Sequence, residues 1–495
     1  ALPYEAPTQV VILIFLSFLI FVNAARRLFA RIVGAGLLGE VIVGAIYGAP
    51  LASILPSSAQ HAILAFGYLG LLLLVVGGGL ETRLDILTQH LFVVFMTAAI
   101  GVGLPIGFSL ALLPSAFGFN VLEAFACGAA LASTSLGTVF SVIGSISSEE
   151  DHNSASIIDT RAGSTLIGAA LIDDIVGLVL SSIIVSLSSS TSQIAPWSIA
   201  RPIVSSTVFL IVVALLSRFV VGLALSARQG RLAHSIRQGL DHIRNKHPSF
   251  WTQYGLESAT IVFVVVVAGS ASVANYIGSS NLIGAFSAGA FMATSWTMFQ
   301  RQLNADDTST YGDNASTAET GITLISPNAT FGFLEKSFGR YVLVPFFFAS
   351  IGFAIPVKEM FSGEIVWKGF VYSGLMGLAK MLAGSPILVA EAVARLKRRR
   401  NFKKTGQSVP GEEAGAKENS RVEMAAASEE EKAEAAWPAA LFVGSALVAR
   451  GEIGFLIVNL AYQGGLLSSE AFLVATWAIT LNTIVGPACV GILLR

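Results

Sequence analysis

Long apolar runs separated by short polar segments dominate the pattern of hydrophobic and polar residues along this chain. About thirteen runs are long enough to cross the hydrocarbon core of a bilayer as helices, which takes about 20 predominantly apolar residues. The predicted spans lie near residues 8–25, 32–55, 61–79, 90–113, 121–146, 162–189, 199–225, 256–277, 281–299, 340–357, 364–393, 437–462 and 470–494. This pattern predicts an all-α polytopic membrane protein.

The amino-acid composition agrees with a chain that lies mostly in lipid. Apolar residues make up 54% of the sequence and charged residues only 12%, whereas a soluble domain carries about a quarter charged residues. The formal net charge of -1 argues against a nucleic-acid partner, which requires a basic surface. Cys127 and Cys489 lie inside apolar runs and show no spacing typical of a metal site. We therefore expect a lipid bilayer as partner, and neither nucleic acid nor a resident cofactor.

The polar segments divide the predicted transporter domain into three parts. Residues 1–393 carry the first eleven spans, and 437–495 carry the last two. Between them, residues 394–436 are rich in Lys, Glu, Ala and Ser, which predicts a partly disordered cytoplasmic loop. A second long loop is predicted over 301–339, and the seventh span, near 199–225, is predicted to be a linker helix.

The span count predicts an internal inverted repeat. With six spans on each side of the seventh, the second half enters the membrane with the opposite orientation to the first. Transporters built in this way bind their ions near the midplane, at discontinuous helices in equivalent positions of the two halves. Glycine and hydroxyl residues fall in the fifth span of each half, around Thr134 and Ser135 and around Gly444 to Gly451. We predict a helix break in both spans; the alternative is close packing of continuous helices through small residues.

Three charged residues lie in the middle of predicted spans. Asp173 and Asp174 are adjacent in the sixth span, and Lys380 is alone in the apolar sequence from Ser373 to Val389. A charge at the bilayer centre costs on the order of 2.5–3.5 kcal/mol when it is left unpaired. These side chains are therefore expected to face protein, water or a cation.

The spacing of the two aspartates predicts that they have different roles. Neighbouring residues on a helix point about 100° apart, so one aspartate can pair with Lys380 while the other faces an ion path. A hard cation such as Na+ prefers carboxylate, hydroxyl and carbonyl oxygens, which Asp174 and the region of Thr134 and Ser135 can supply. A site that holds either a proton or a cation exchanges the two. The alternative for one of the aspartates is a purely structural ion pair.

Arg450 and Glu452 are two further charges inside the twelfth span. Charges of opposite sign at a helix break can neutralise the partial charges at the exposed helix ends. The competing hypothesis is that Glu452 itself carries a proton or cation.

Two other classes of protein also place carboxylates in a membrane. An intramembrane aspartyl protease needs them on different helices, whereas Asp173 and Asp174 are adjacent. A cation channel needs acidic rings or a carbonyl filter, and the sequence shows no filter-like repeat. The sequence therefore favours a cation/proton exchanger over either of these classes.

Six motifs, in order along nearly the whole chain, resemble those of the monovalent cation/proton antiporter superfamily, in particular the double-aspartate sodium/proton exchangers. They are Gly39–Gly44, Gly70–Glu81, Ala169–Gly177 (AALIDDIVG), Asn281–Gly289, Pro345–Gly352 and Arg450–Gly454 (RGEIG). Each glycine motif is weak evidence by itself, but the order and spacing are specific.

The resemblance implies both an activity and site roles. It implies that Asp174 binds the transported Na+ or the proton, that Asp173 and Lys380 form a salt bridge, and that Thr134 lies on a crossing helix. It further implies exchange of Na+ or Li+ for H+ in pH homeostasis, by elevator-type alternating access of a core domain against a dimerisation domain in a homodimer. A proton-coupled K+ efflux antiporter is the alternative. We expect no enzymatic activity, and the plasma membrane rather than an organelle membrane.

Overall fold

The structure, a computed structural model, describes residues 6, 8–82, 91–135, 161–188, 196–229, 248–310, 326–405 and 437–493. Within these ranges the secondary structure is helical, without strands. The helices are α1 (Gln9–Val33), α2 (Gly36–Tyr47), α3 (Ser57–Leu80), α4 (Leu91–Phe117), α5 (Val121–Ala130), α6 (Arg161–Ser188), α7 (Pro196–Gln229), α8 (Pro248–Tyr276), α9 (Asn281–Thr310), α10 (Pro327–Leu334), α11 (Val344–Ala354), α12 (Val357–Met360), α13 (Gly363–Leu382), α14 (Ser385–Thr405), α15 (437–448), α16 (Glu452–Gln463) and α17 (Ser469–Leu493).

The described helices confirm the predicted fold class. Ten helical stretches among these residues are long and apolar enough to cross a membrane, and α2 and α5 are shorter apolar helices. The protein is therefore an all-α, multi-pass integral membrane protein. The count of thirteen crossings stays a prediction.

The predicted loop over 301–339 is wrong for most of its length. Helix α9 continues to Thr310, and α10 begins at Pro327 and passes through a π-helical segment, Glu335–Leu343, into α11. Ser326 caps α10 by accepting a hydrogen bond from the Ala329 backbone N–H at 3.0 Å, and proline is well suited to the first helical turn. Polar composition misled the prediction here, because a polar segment can still be helical. Residues 311–325 lie outside the described part of the chain.

The eleventh predicted span, 364–393, consists of two helices. A turn at Ala383 and Gly384 separates α13 from α14. A Cβ atom added at Gly384 would lie 2.1 Å from the Ala440 carbonyl oxygen, so the backbone of α15 passes directly over this turn. Because α14 continues to Thr405, the predicted loop 394–436 begins later than expected; residues 406–436 lie outside the described part.

The chain forms two compact units that interleave along the sequence. Unit 1 comprises Ala1–Ala25, Glu40–Leu84 and Leu178–Ala354, and unit 2 comprises Arg26–Gly39, Asp85–Gly177 and Ile355–Arg495. These units cut across the three sequence segments proposed above. Whether they correspond to the predicted core and dimerisation domains stays a prediction.

Unit 1 is built around α3, which packs against α9 and α11. Glycines allow the backbones to approach closely: a Cβ atom at Gly79 would lie 2.2 Å from the Phe286 carbonyl oxygen, and one at Gly70 would lie 2.2 Å from that of Leu343. Small residues at helix interfaces are a common means of association in lipid. Helix α7, the predicted linker, packs against α9 in this unit.

Unit 2 contains the five charged residues that the sequence analysis singled out: Asp173, Asp174, Lys380, Arg450 and Glu452. Helix α13 packs against α4 and α17, and α5 packs against α4 and α16. A buried apolar cluster that includes Leu166, Ala170, Val443 and Leu447 brings α6 and α15 together. This packing places the centre of α6 next to the end of α13.

Candidate ion-binding site

The end of one helix and the interruption of another meet in unit 2. Helix α5 ends at Ala130, and the chain is non-helical at 133–135, while residues 449–451 separate α15 from α16. The Ser135 backbone N–H donates a hydrogen bond to the Ala449 carbonyl oxygen at 3.0 Å, which joins the two segments directly. The second stretch is thus a discontinuous helix, as expected from its glycine and polar residues. Beyond Ser135, the rest of the fifth predicted span lies outside the described residues.

The absence of a side chain at Gly451 allows this crossing. A Cβ atom there would lie 2.5 Å from the Cβ atom of Ser135, which is shorter than any normal contact. Backbone groups that leave a helix inside a membrane must find other partners. The crossing supplies one such partner for each of the two chain segments.

Asp173 and Lys380 form a buried ion pair beside the crossing. Lys380 Nζ lies 2.5 Å from Asp173 Oδ2, and both side chains are 0% exposed. The spacing of the two aspartates did not decide which of them pairs with Lys380. In the structure it is Asp173. Breaking such a pair from one side leaves an uncompensated buried charge, so the two residues hold α6 and α13 in register.

Thr134 completes the pair from the crossing segment. Its hydroxyl accepts a hydrogen bond from Lys380 Nζ at 3.0 Å and donates one to Asp173 Oδ2 at 2.9 Å. The Leu447 carbonyl oxygen, 3.3 Å away, is a second acceptor for the same proton. A hydroxyl has one donor and two acceptor positions, so Thr134, which follows α5, connects the ion pair to α15.

Asp174 lies at the next position of α6 and is half-buried, in contrast to the fully buried Asp173. It is close enough to Lys380 for an electrostatic interaction. Because consecutive helical residues point about 100° apart, its carboxylate leaves the α6 face that carries Asp173. The two acids therefore have different surroundings, as their spacing predicted.

Arg450 lies at the crossing, and its side chain is completely buried. Its Nη1 donates a hydrogen bond to the Ser133 carbonyl oxygen at 2.7 Å, just after the end of α5, and the residue itself follows the end of α15. A positive charge at helix C-termini is stabilising. The geometry therefore favours the electrostatic interpretation of Arg450.

Glu452 is the first residue of α16, where a negative charge complements the helix N-terminus. Its Oε2 atom accepts a hydrogen bond from the Ser135 hydroxyl at 3.3 Å. Ser135, predicted as a cation ligand, thus contacts Glu452 as well as the backbone of Ala449. This arrangement also favours the electrostatic interpretation over a carrier role for Glu452.

A buried polar contact between α4 and α13 was not predicted from the sequence. The hydroxyl groups of Ser109 and Tyr372 are 2.7 Å apart, and Tyr372 is 0% exposed. Tyr372, Met376 and Lys380 lie four residues apart and share one face of α13. That spacing relative to Lys380 was a signal that could have identified this face.

The described residues contain no group of three or more His, Cys, Asp or Glu side chains that could hold a metal ion. Hard monovalent cations accept carboxylate, hydroxyl and carbonyl oxygens as ligands. Asp174 and the non-helical carbonyl groups of the crossing are of this chemical type.

Binding sites at discontinuous membrane helices are typical of secondary transporters. The model of the family described as "sodium/hydrogen exchanger, transmembrane" matches residues 11–495. The chain belongs to this family.

The known proteins of similar sequence and fold described below are named as sodium/proton antiporters. The chain is 23% identical over 452 residues to a Na(+)/H(+) antiporter of Enterococcus hirae, which covers 91% of this chain and 89% of the relative. It is 29% identical over 180 residues to the high-affinity Na(+)/H(+) antiporter NhaS3 of a Synechocystis species, covering 36% and 37% of the two chains. The fold resembles the solved sodium proton antiporter MjNhaP1 of Methanocaldococcus jannaschii, with a TM-score of 0.54 and 13% identity over 98% of this chain and 97% of that one.

Proposed function

We propose that this protein exchanges Na+ for protons across a membrane and that Asp174 is the carboxylate that binds them in turn. The observation that carries this proposal is the buried Asp173–Lys380–Thr134 network at the helix crossing, with Asp174 at the adjacent, half-buried position. Family membership and the activities named for the relatives support Na+/H+ exchange.

The proposed mechanism follows from competition for one carboxylate. A protonated carboxyl group has lost the negative charge that attracts Na+, and a bound Na+ opposes protonation. Each cycle therefore moves the two ions in opposite directions, provided that the site opens to one side of the membrane at a time. Asp173 is held by Lys380 and is proposed to position Asp174 and to keep the lysine charge compensated.

We further propose that the site moves as one body during transport, as the resemblance implied for elevator-type exchangers. Its support is that Thr134, Asp173, Asp174, Lys380 and Arg450 all belong to unit 2. The expected homodimer and the plasma membrane location stay predictions, to be tested by cross-linking in native membranes and by localisation of the tagged protein.

The test is an exchange assay in proteoliposomes with an imposed pH gradient and a fluorescent pH indicator. Adding Na+ should dissipate the gradient with the wild-type protein, and Asp174→Asn should abolish this response. The matched control is Glu364→Gln, the same chemical change at a carboxylate that is 69% exposed, which should exchange normally. Normal exchange by Asp174→Asn would show that the binding site lies elsewhere.

A cation series in the same vesicles identifies the transported ion. Na+, Li+ and K+ are added separately, with and without a clamped membrane potential. A response to K+ alone would replace the Na+ proposal with proton-coupled K+ exchange. Ion current without proton movement would identify a channel instead.

A further inference from the structure

Helix α17 lies directly against residues 449–451, the segment that separates α15 from α16. A Cβ atom added at Gly486 would lie 2.5 Å from the backbone nitrogen of Ala449 and 2.7 Å from its Cα atom, so only a glycine permits this approach. Thr483 is three residues earlier and therefore on the same face of α17. Its side chain is completely buried. A buried hydroxyl group of α17 thus lies beside the interruption of the discontinuous helix.

The Thr483 hydroxyl contacts two carbonyl oxygens that differ in their need for a donor. The Ile479 oxygen, 2.7 Å away, belongs to the same helix and is also the regular acceptor of the Thr483 backbone N–H. The Arg450 oxygen, 3.1 Å away, belongs to the non-helical segment. One hydroxyl proton can be shared between two such acceptors.

The Arg450 carbonyl group needs a donor from outside its own segment. Gly451 is the N-cap of α16, so the regular hydrogen bonds of that helix begin at the Gly451 carbonyl group and do not include that of Arg450. Backbone groups that leave a helix inside a membrane must be paired by other parts of the protein. Thr483 supplies such a partner, because its hydroxyl is within hydrogen-bonding distance.

Another buried threonine of α17 shows what a hydroxyl does there without this contact. The Thr476 hydroxyl donates to the Phe472 carbonyl oxygen at 2.7 Å, and the side chain is 1% exposed. This bond returns to the residue four positions earlier, as the bond from Thr483 to Ile479 does. No hydrogen bond joins Thr476 to residues 449–451 in the described part of the chain. Thr476 is therefore a matched reference for Thr483.

Arg450 connects the contact with Thr483 to the ion pair. Its Nη1 atom donates a hydrogen bond to the Ser133 carbonyl oxygen at 2.7 Å. The next residue, Thr134, bridges the buried acid and base. Arg450 is thus held by Thr483 at its backbone and contacts the site through its guanidinium group, so a shift of its carbonyl group also shifts the segment that carries Thr134.

We propose that Thr483 is a positioning residue of the exchange site. Its hydroxyl fixes the Arg450 carbonyl group and thereby the point from which the Arg450 side chain reaches Ser133. Thr483 acts on the transported ion only through Thr134 and the carboxylates beside it. The inference rests on the proposed function for its transport readout, and it gives α17 a part in the site.

The first test compares Thr483→Val with Thr476→Val in the proteoliposome exchange assay. Both variants keep the side-chain shape and lose the bond to their own helix, but only Thr483→Val also loses the bond to the Arg450 carbonyl group. The Na+ concentration for half-maximal exchange should rise about fivefold in Thr483→Val, as expected for one hydrogen bond, and stay within about twofold of the wild type in Thr476→Val. Equal values for the two variants would overturn the proposal.

The second test asks whether the hydroxyl or the methyl group of Thr483 is responsible. Thr483→Ser keeps the hydroxyl and should stay within about twofold of the wild-type Na+ concentration, whereas Thr483→Ala lacks the hydroxyl and should show the rise of about fivefold. A serine variant as impaired as the alanine variant would assign the effect to packing and overturn the proposal. This pair also decides the question if the valine variant does not fold.

Thermal unfolding in detergent separates this inference from the proposed function. The melting temperature should fall more for Thr483→Val than for Thr476→Val, and Thr483→Ser should recover most of the difference, because the bond to the Arg450 carbonyl group is present without transport. Equal melting temperatures for the two valine variants would overturn the contact with Arg450, whatever the exchange assay shows. Absent exchange by the wild type would refute only the proposed function.

Discussion

Helix α13 carries two lysines, twelve residues apart, that lie in opposite environments. Lys380 pairs with Asp173, and neither side chain is exposed. Lys368, about 18 Å away along the helix axis, contacts Glu364 at 2.6 Å and also Glu470, whose side chains are 69% and 41% exposed. One residue type on one helix thus forms both a sealed pair and a partly hydrated one.

The difference shows that solvent access, rather than distance, decides what an ion pair contributes. The carboxylates around Lys368 remain partly hydrated, so their attraction is screened and they lose little when the lysine is removed. The rings of Phe117 and Phe119, 5.8 and 5.9 Å from Lys368 Nζ, provide additional cation–π contacts. The charges of Lys380 and Asp173 are both buried, and each neutralises the other.

Removal of the buried ammonium group of Lys380 should have the largest effect on the free energy of unfolding. Lys380→Ala should reduce the free energy of unfolding by about 3–5 kcal/mol, because it leaves a buried carboxylate without its cation. Lys368→Ala should cost only about 1 kcal/mol. Thermal and denaturant unfolding of both variants in detergent measures the difference. Equal losses would show that the two environments are energetically alike.

A double-mutant cycle should sharpen the contrast. Asp173→Asn and Lys380→Met each leave one buried charge, whereas the double variant leaves none, so the coupling should be about 1–3 kcal/mol. The matched cycle with Glu364→Gln and Lys368→Met should give about 0.5 kcal/mol or less. Additivity in the first cycle would contradict a direct pair.

A smaller effect is expected at the bridging hydroxyl. Thr134→Val retains the shape but loses hydrogen bonds to two charged groups, which should cost about 1.5–3 kcal/mol. Ser109→Ala, which loses a buried bond to the neutral Tyr372 hydroxyl, should cost about 1 kcal/mol. The same unfolding assay ranks the two variants, and the reverse order would remove Thr134 from the ion-pair network.

The smallest expected effect is that of salt on the exposed pair. Glu364→Gln should cost at most about 1 kcal/mol at low ionic strength and almost nothing in about 1 M salt, where the Debye length is about 3 Å. The loss on Asp173→Asn should not change with salt, because ions do not reach the sealed pair. A salt-dependent loss at Asp173 would mean that water enters the site.

The fold class and the charged residues of the site were predictable from the sequence for one physical reason. Hydropathy acts locally, and an unpaired charge is costly in lipid whatever the fold, so the apolar runs indicated helices and the mid-span positions of Asp173, Asp174 and Lys380 indicated a site. Glycine and polar residues from Gly444 to Gly451 likewise indicated an interruption, since they weaken a helix locally.

Helix boundaries in polar sequence were not predictable in the same way. The start of α10 at Pro327 depends on the Ser326 cap, and the turn at Gly384 on the close approach of the Ala440 backbone. Neither has a strong signature in hydropathy. The predicted loop over 301–339 was wrong for that reason, and the turn within the predicted span 364–393 was not foreseen.

The sequence by itself determined that this protein spans a membrane with helices and places two acids and a base at mid-span, because transfer free energies depend on residue type. Only the tertiary structure decided that Asp173 faces Lys380 and that Thr134 bridges them. Those facts depend on the rotation and crossing of helices that are distant in sequence, and packing between side chains and backbone sets that geometry.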